Sequence, residues 1–450
     1  MSLTGIEIYK LLPKSNCGQC GVPTCLAFAM GLAAGKAKLE SCPYIADDTR
    51  VGLEEALTPP IKLVRIGGPE EALTIGGETV MYRHEKRFEN PPGIALTISD
   101  AMGRQDIEKR LRKLKDSTYE RMGLKLKAEL IAIKSETGDV QKFRSLVDKV
   151  TRESQAAIIL MSYDQVILEE ALMVSQGRKP LIYAANRENY QALASLAQRT
   201  SCPLAVKAGG VEELARLSEG CMALGVNDIV LDSKPASIGE ALRDQTIIRR
   251  KALSKKARSL GYPTIVFPGN FSKDATEEAI AASVLIARYA GVIVMSDFSG
   301  ESLFPLLVAR LNLYTDPQRP LVTKEGVYEI GKPDENSPVI ITTNFSLTYF
   351  IISGEIENSK VSAYLLVKDA EGLSVMTAWA AGKFVAGTIA PFIKKSGIEQ
   401  KVTHRKLIIP GYIAGESSSI EEELGWQVIV GPKEAAFIPS FLKSWKGGDK

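Results

Sequence analysis

Four of the six cysteines in this 450-residue chain fall in one stretch, NCGQCGVPTCLAFAMGLAAGKAKLESCPY, at Cys17, Cys20, Cys25 and Cys42. Thiolates held this close in a reducing compartment repel one another unless a cation sits between them. The candidates are Zn²⁺ and an iron–sulfur cluster. The spacing runs C-x2-C-x4-C, with the fourth cysteine after a further sixteen residues. A zinc ribbon brings two C-x2-C knuckles, and this chain has one. A cubane cluster draws its thiolates to corners spread wider than a zinc tetrahedron. A compact loop giving three ligands, with a remote fourth just before proline, suits that shape. Cys42-Pro43 also repeats the ending of bacterial ferredoxin runs. Pro23 precedes a predicted helix, CLAFAMGLAAGKAKLE, which sets Cys25 at a positive helix end. The pattern favours a [4Fe-4S] cluster and keeps zinc as the alternative.

A cluster with four thiolate ligands and no open corner transfers electrons rather than working on a substrate. Something else in the protein must then accept the electron. Cys202, beside Pro203, and Cys221, on an apolar helix face, read as core residues. There are only two histidines, His84 and His404. Each reads as a surface or turn residue, so there is no histidine cluster for a metal hydrolase. No G-x-x-x-x-G-K-[ST] occurs, and IGGPEEALTIGG is no nucleotide fingerprint.

The charges nearly balance, 56 basic against 53 acidic. No basic stripe with interleaved aromatics suggests nucleic acid, and the run Arg249 to Arg258 reads as a solvated helix face. No apolar run is long enough for a membrane span and no signal peptide is visible, so a cytoplasmic protein is expected. Hydrophobic content of 45% supports large cores.

Three pieces follow from the pattern. Residues 1–60 form a small unit, too thin in Leu and Ile for its own core and in need of a metal cross-link. Residues 61–320 alternate short apolar runs with amphipathic stretches. Eight runs stand out: 94–98, 128–133, 156–161, 180–185, 203–208, 228–232, 263–268 and 292–296. Eight such units fit a (β/α)₈ TIM barrel. A hairpin turning at TIGGE, ahead of the first unit, reads as a lid. DIEKRLRKLKDSTYERMG reads as one helix. Asp100, Asp232, Asp297, Asn186 and Asn270 stand at strand ends, where a barrel places its site. The aspartates serve equally as caps of the next helix, and the cap is the favoured reading.

Residues 325–450 read as an open α/β (Rossmann-like) sheet. Its strands are expected at 338–344, 361–369, 406–411 and 426–432, after a proline-bearing linker at 319–338. LSVMTAWAAGKFVAGTIAPFIKKSG reads as one helix. Such sheets bind ligands outside the carboxyl ends of their strands. The exits ITTNFSLTYF, VKDAEGLSVMTAW, PGYIAG and VGPKEAA gather small polar groups and backbone donors on one rim. They could hold a large, flat, polar-edged cofactor.

Taken together, CGQCGVPTCLAFA, ESCP and these loops closely resemble the large (gamma) subunits of corrinoid iron–sulfur proteins, over the whole chain. These are methyl carriers of the acetyl-CoA (Wood–Ljungdahl) pathway, with a homologous subunit in archaeal acetyl-CoA decarbonylase/synthase. The resemblance implies that Cys17, Cys20, Cys25 and Cys42 ligate a [4Fe-4S] cluster. It implies a corrinoid-binding last domain, with contacts from Thr343, Asn344 and Ser346 and from Ala370, Glu371, Gly372, Leu373 and Ser374. More weakly, it adds Gly411, Gly431, Pro432 and Lys433. The corrinoid is expected base-off, since no D-x-H-x-x-G occurs to supply a histidine below the cobalt. Without that ligand, Co(II) is easier to reduce. The expected role is to accept a methyl group on Co(I) from methyltetrahydrofolate and pass it from methyl-Co(III) to the nickel centre of acetyl-CoA synthase. The cluster would reactivate Co(II). The chain would then be a methyl-transfer subunit that acts with others: a small TIM-barrel subunit in a heterodimer, a methyltetrahydrofolate:corrinoid methyltransferase, acetyl-CoA synthase/CO dehydrogenase and a low-potential electron donor.

Overall fold

The computed structural model describes residues 4–33, 36–69, 72–121, 124–254, 257–316 and 321–445. The chain divides into two compact units, one of residues 1–118 and 127–314, the other of 119–126 and 315–450. At the start of the first unit stand three helices, α1 (Gly5–Leu11), α2 (Cys25–Ala33) and α3 (Asp47–Leu57). Thr4 caps α1 in a reciprocal box with Glu7, which satisfies donors that a helix start leaves open. Ile8, Leu12, Phe28, Leu32, Leu39 and Leu53 bury a small core here, and Cys25 and Cys42 belong to it. α2 is shorter than its sequence suggests; a 3₁₀ turn at Leu39–Ser41 then brings the chain to Cys42.

A hairpin, β1 (Val64–Ile66) and β2 (Leu73–Ile75), precedes the barrel. TIGGE is not its turn: Thr74 and Ile75 belong to β2 itself. Gly76 and Gly77 instead follow β2 with φ of 81° and 78°, a region open to glycine. A Cβ on Gly76 would stand 2.0 Å from the Lys62 carbonyl oxygen. Val64, Ile66 and Ile75 join the barrel's interior cluster. Gly67 N–H bonds to Lys179 O and Lys62 N–H to Gly261 O, each just before a barrel strand. The hairpin therefore closes the amino end of the barrel.

The barrel begins with β3 (Gly93–Ser99) and α4 (Arg104–Asp116). The helix ends at Asp116. The rest of the stretch expected to be helical forms a small hairpin, β4 (Tyr119–Arg121) with β5 (Leu124–Leu126). Then come β6 (Leu130–Lys134), α5 (Val140–Glu153), β7 (Ala157–Met161), α6 (Gln165–Val174), β8 (Leu181–Ala185), α7 (Tyr190–Thr200), β9 (Leu204–Lys207), α8 (Val211–Ala223), β10 (Ile229–Asp232), α9 (Ile238–Leu253), β11 (Ile265–Val266), α10 (Ala275–Ala287), β12 (Val292–Met295) and α11 (Gly300–Leu313). The eight strands are parallel, in the order β10-β9-β8-β7-β6-β3-β12-β11. One parallel bridge, Leu231 to Thr264, nearly closes the ring between β10 and β11. Both faces of the strands are buried, which is why they read as unbroken apolar runs.

Arg249 departs from its expected solvated position. It is 3% exposed, donates to Glu78 Oε2 at 2.9 Å and to Val80 O at 2.9 Å, and lies over the rings of Phe88 and Tyr289. Burial raises the Glu78 carboxyl above its ordinary pKa, and Arg249 opposes that shift. No helix among the described residues is long and apolar enough to cross a membrane.

The second unit holds β13 (Gly326–Ile330), β14 (Val339–Thr343), α12 (Ser346–Ser359), β15 (Ala363–Lys368), α13 (Val375–Ala380), α14 (Ala386–Ser396), β16 (Lys406–Ile409), α15 (Ser417–Leu424), β17 (Gln427–Val430) and α16 (Ile438–Lys443). The sheet order is β13-β15-β14-β16-β17, parallel except for β13. The segment read as a linker therefore contributes an antiparallel edge strand. The single helix expected at 373–397 is two, broken at Gly382, whose φ is 69°. Ile340, Leu365 and Ile408 face α12 and α16. Ile341, Leu366 and Leu407 face α13, α14 and α15. Helices thus cover both sides of an open sheet.

Candidate functional site

Cys17 is exposed, Cys20 half-buried, and Cys25 and Cys42 buried; none is in a disulfide. The loop that carries them turns through left-handed residues at Lys14, Asn16, Gly18 and Gly21. Asn16 pins it: its side-chain oxygen accepts the Cys25 N–H at 2.8 Å, and its own N–H points at Cys25 Sγ at 3.4 Å. The Gln19 N–H and the Ser15 hydroxyl hold the Cys17 thiol below its usual pKa. These are donors suited to thiolate sulfur. Cys20 packs against the core that contains Cys25 and Cys42. Among the described residues, no three Cys, His, Asp or Glu side chains converge as a ready single-metal site. The unpaired, all-thiolate donor set, with N–H groups directed at sulfur, fits an iron–sulfur group in chemistry.

In the second unit the strand order reverses between β14 and β16, and a cavity of about 310 Å³ opens there. Ligands sit at such switch points in open α/β sheets. Ser374, Gly431, Pro432 and Lys433 line it, with Thr348, Ile351 and Ile352 of α12 and Met376, Tyr412 and Ile438. The apolar half of this lining was not legible in the sequence. α12 carries apolar residues on every side, and that lack of a polar face was the one available signal. Ile351, Met376 and Tyr412 are 46%, 55% and 42% exposed, an apolar surface of the kind that marks a binding site.

Thr343, Asn344, Ser346 and the 369–374 loop form a second, adjoining group. Asn344 is its latch. Its Oδ1 accepts the N–H groups of Ala370 and Gly372, each at 3.0 Å, and its Nδ2 donates to Asp369 Oδ1 at 2.8 Å. Glu371 and Gly372 take φ of 57° and 76°, and Glu371 pairs with Lys383. Leu373 donates its N–H to Ala370 O and packs on the core. Gly411 lets the β16 and β17 exits meet: a Cβ there would lie 2.6 Å from Gly431 O and 2.8 Å from Lys433 N.

Eight buried side-chain polar atoms lack a hydrogen-bond partner among the described residues, and half of them are the hydroxyls of Thr323, Thr342, Thr343 and Ser346. All four stand around the carboxyl end of β14: Thr323 N–H bonds to Asn344 O, and Ser346 N–H to Leu321 O. An orphaned buried hydroxyl costs about 1–3 kcal/mol. Thr342 and Thr343 are consecutive in one strand and face opposite sides of the sheet, and none of the four hydroxyls lines the cavity itself.

His404 is not the surface residue its sequence suggested. It is 8% exposed. Its Nδ1 accepts the Lys406 N–H at 3.2 Å, so Nε2 carries the proton and donates to Ser337 O at 2.9 Å. Both ring nitrogens are occupied, and Trp445 packs edge-on.

The barrel's strand-end acids do not cap the helices that follow them; Gly103, Ser237 and Ser299 hold those positions. Asp100 instead accepts the N–H groups of Glu136 and Thr137. Asp297 pairs with Lys113 at 2.6 Å. Asp232 accepts the Tyr183 hydroxyl at 2.7 Å, and burial raises its pKa. Asn186 turns its own loop by accepting the Glu188 and Asn189 N–H groups, and Asn270 lines the cavity at the barrel mouth.

The family described as "CO dehydrogenase/acetyl-CoA synthase delta subunit" matches residues 63–442. The family described as "Putative Fe-S cluster" matches residues 12–44, the span of all four clustered cysteines. The chain is 44% identical to the "Corrinoid/iron-sulfur protein large subunit" of Moorella thermoacetica, covering 99% of each chain. It is 38% identical to the "Acetyl-CoA decarbonylase/synthase complex subunit gamma" of Methanopyrus kandleri, over 98% of this chain and 97% of that one. With the same-named subunit of Methanothermobacter thermautotrophicus the identity is 35%, over 98% and 99%. The chain belongs to the family of corrinoid/iron–sulfur protein large subunits and acetyl-CoA decarbonylase/synthase gamma subunits.

Proposed function

We propose that this chain is a corrinoid iron–sulfur methyl carrier, with the cluster on the four N-terminal cysteines and the corrinoid on the carboxyl rim of the second unit's sheet. When bound, the corrinoid cobalt supplies the centre that takes a methyl group from methyltetrahydrofolate and gives it to acetyl-CoA synthase, and the [4Fe-4S] cluster supplies the electron that restores it after oxidation.

The chain's own residues have separable tasks. Cys17, Cys20, Cys25 and Cys42 hold the cluster, and the Asn16 and Gln19 N–H groups stabilise negative charge on sulfur. Asn344 fixes the 369–374 loop, leaving the Thr343 and Ser346 hydroxyls to meet polar groups of the corrinoid. Gly411 lets the β16 and β17 exits pack together, which presents Gly431, Pro432 and Lys433 to the cofactor, and Ile351, Met376 and Tyr412 exclude water from it. His404, the one histidine of this unit, has both ring nitrogens committed to the protein and would not be available to a bound corrinoid. The partners are a small barrel subunit, a methyltetrahydrofolate-dependent methyltransferase, acetyl-CoA synthase/CO dehydrogenase and a low-potential electron donor.

The observation that carries this reading is the cavity at the reversal of strand order, with the exposed apolar side chains Ile351, Met376 and Tyr412 in its lining. The test is metal analysis and visible spectroscopy of anaerobically purified chain reconstituted with iron, sulfide and hydroxocobalamin. The expected result is about four iron per cobalt, with a base-off spectrum and bleaching of the cluster on reduction. Zinc in place of iron, or iron with no retained corrinoid, would overturn it.

A further inference from the structure

A barrel strand turns alternate residues inward, so its parity fixes what fills the interior. Ala95, Ala132, Ile159, Leu181, Ala205 and Val230 belong to the buried interior cluster. Two residues further along each of the same strands stand Thr97, Lys134, Met161, Tyr183, Lys207 and Asp232. A barrel that served only as scaffold could continue with branched apolar residues. This one changes to side chains that, Met161 apart, carry polar groups, and leaves a cavity of about 770 Å³ at the carboxyl ends of its strands.

Most charges in that mouth are already committed. Lys134 pairs with Glu136 at 2.7 Å. Arg110 donates to the Thr97 and Ser296 carbonyls. Glu278 accepts the Ser296 N–H at 2.7 Å. Asp232 takes the Tyr183 hydroxyl and the Lys234 N–H, each at 2.7 Å. Lys207 differs. Its ammonium donates to the Tyr163 hydroxyl at 2.7 Å and lies 5.4 and 5.3 Å from the Tyr163 and Tyr183 ring centres. An ammonium has three donors, and that is the one hydrogen bond it makes among the described residues. Beside it the Tyr183 and Phe267 rings lie 5.0 Å apart, and Tyr163, 51% exposed, forms a lip.

We propose that the barrel mouth binds a small, flat organic anion, an aromatic or heteroaromatic carboxylate, with its charge on Lys207 and its ring against Tyr163 and Tyr183. The cavity lies within the size range of small-molecule sites. None of the residues that line it is among those assigned above to the cluster or the corrinoid.

The test is ligand-observed saturation-transfer NMR and calorimetry on the full chain, with benzoate as probe and benzamide and cyclohexanecarboxylate as comparators. Benzoate is expected to bind saturably and both comparators more weakly. Lys207→Met is expected to weaken benzoate about tenfold, the worth of a charge-assisted hydrogen bond. Unchanged hydroxocobalamin uptake and unfolding midpoint report that this variant is folded. Tyr163→Leu, at the exposed lip, is a second variant expected to weaken binding without disturbing the interior. Absence of saturable benzoate binding, equal binding of benzamide, or indifference to both substitutions would overturn the proposal.

Discussion

Asn344 does the most with one side chain. Three hydrogen bonds from its amide hold Asp369, Ala370 and Gly372 in one turn. Asn344→Ala would leave two buried N–H groups without acceptors, at about 1–3 kcal/mol each. The expected result is a lower unfolding midpoint for the second unit and weaker hydroxocobalamin binding, read by calorimetry and by spectral titration. Asn344→Asp keeps the acceptor but sets a carboxylate against Asp369, so it should recover little. At this scale the sequence was informative where chemistry is local. The turn-rich loop around Cys17, Cys20 and Cys25 and the strand end before Asn344 were both placed by local pattern; their binding roles are the proposal above. The sequence was misleading on Arg249 and His404, read as exposed, because their burial depends on Glu78 and Ser337, far away in the chain.

Among the elements, the eight barrel strands and four parallel strands of the second sheet were legible, since strands buried on both faces show as short apolar runs bounded by turns. The edge strand β13 and the hairpin β4–β5 were not. GVYEI is half-exposed along its length, and YERMGLKL continues the charged texture of α4, so neither shows a clear apolar face. The segment 76–90 illustrates a second kind of hidden order. It has no regular strand, yet Glu78 accepts the Glu89 and Asn90 N–H groups and the Arg249 guanidinium of α9. Removing one partner of such a buried pair strands the other charge. Arg249→Ala should therefore cost about 3–5 kcal/mol, measured by urea unfolding. The double variant Glu78→Gln/Arg249→Met should recover part of that loss, because it removes the unpaired charge while the glutamine oxygen still accepts the Glu89 and Asn90 N–H groups.

For the whole molecule, two compact units with separate cores predict that heat unfolding is not a single two-state event. A ligand stabilises only the unit that binds it, by about 2.7 kcal/mol at a hundredfold excess over Kd. Scanning calorimetry with and without hydroxocobalamin should therefore move one transition and leave the barrel's in place. A uniform shift of every transition would place the corrinoid site elsewhere or couple the units more tightly than their separate cores suggest. The division near residue 320 was readable because the change of pattern there acts over long stretches; the separate piece expected at 1–60 instead counts with the barrel in one unit. The exact allotment of residues was not readable, because the chain leaves the barrel once, early, and returns.

That early excursion, β4–β5, has a consequence for recombination between relatives. Residues 119–126 lie between two barrel elements in the gene, yet they count with the C-terminal sheet, where Arg121 covers the Phe350 ring of α12 at 4.7 Å. A single crossover near residue 315 would give a chimera whose α12 meets a foreign clasp. Inheritance of the second unit is therefore bipartite, and substitutions at Arg121 and Phe350 should travel together through evolution although more than two hundred positions separate them.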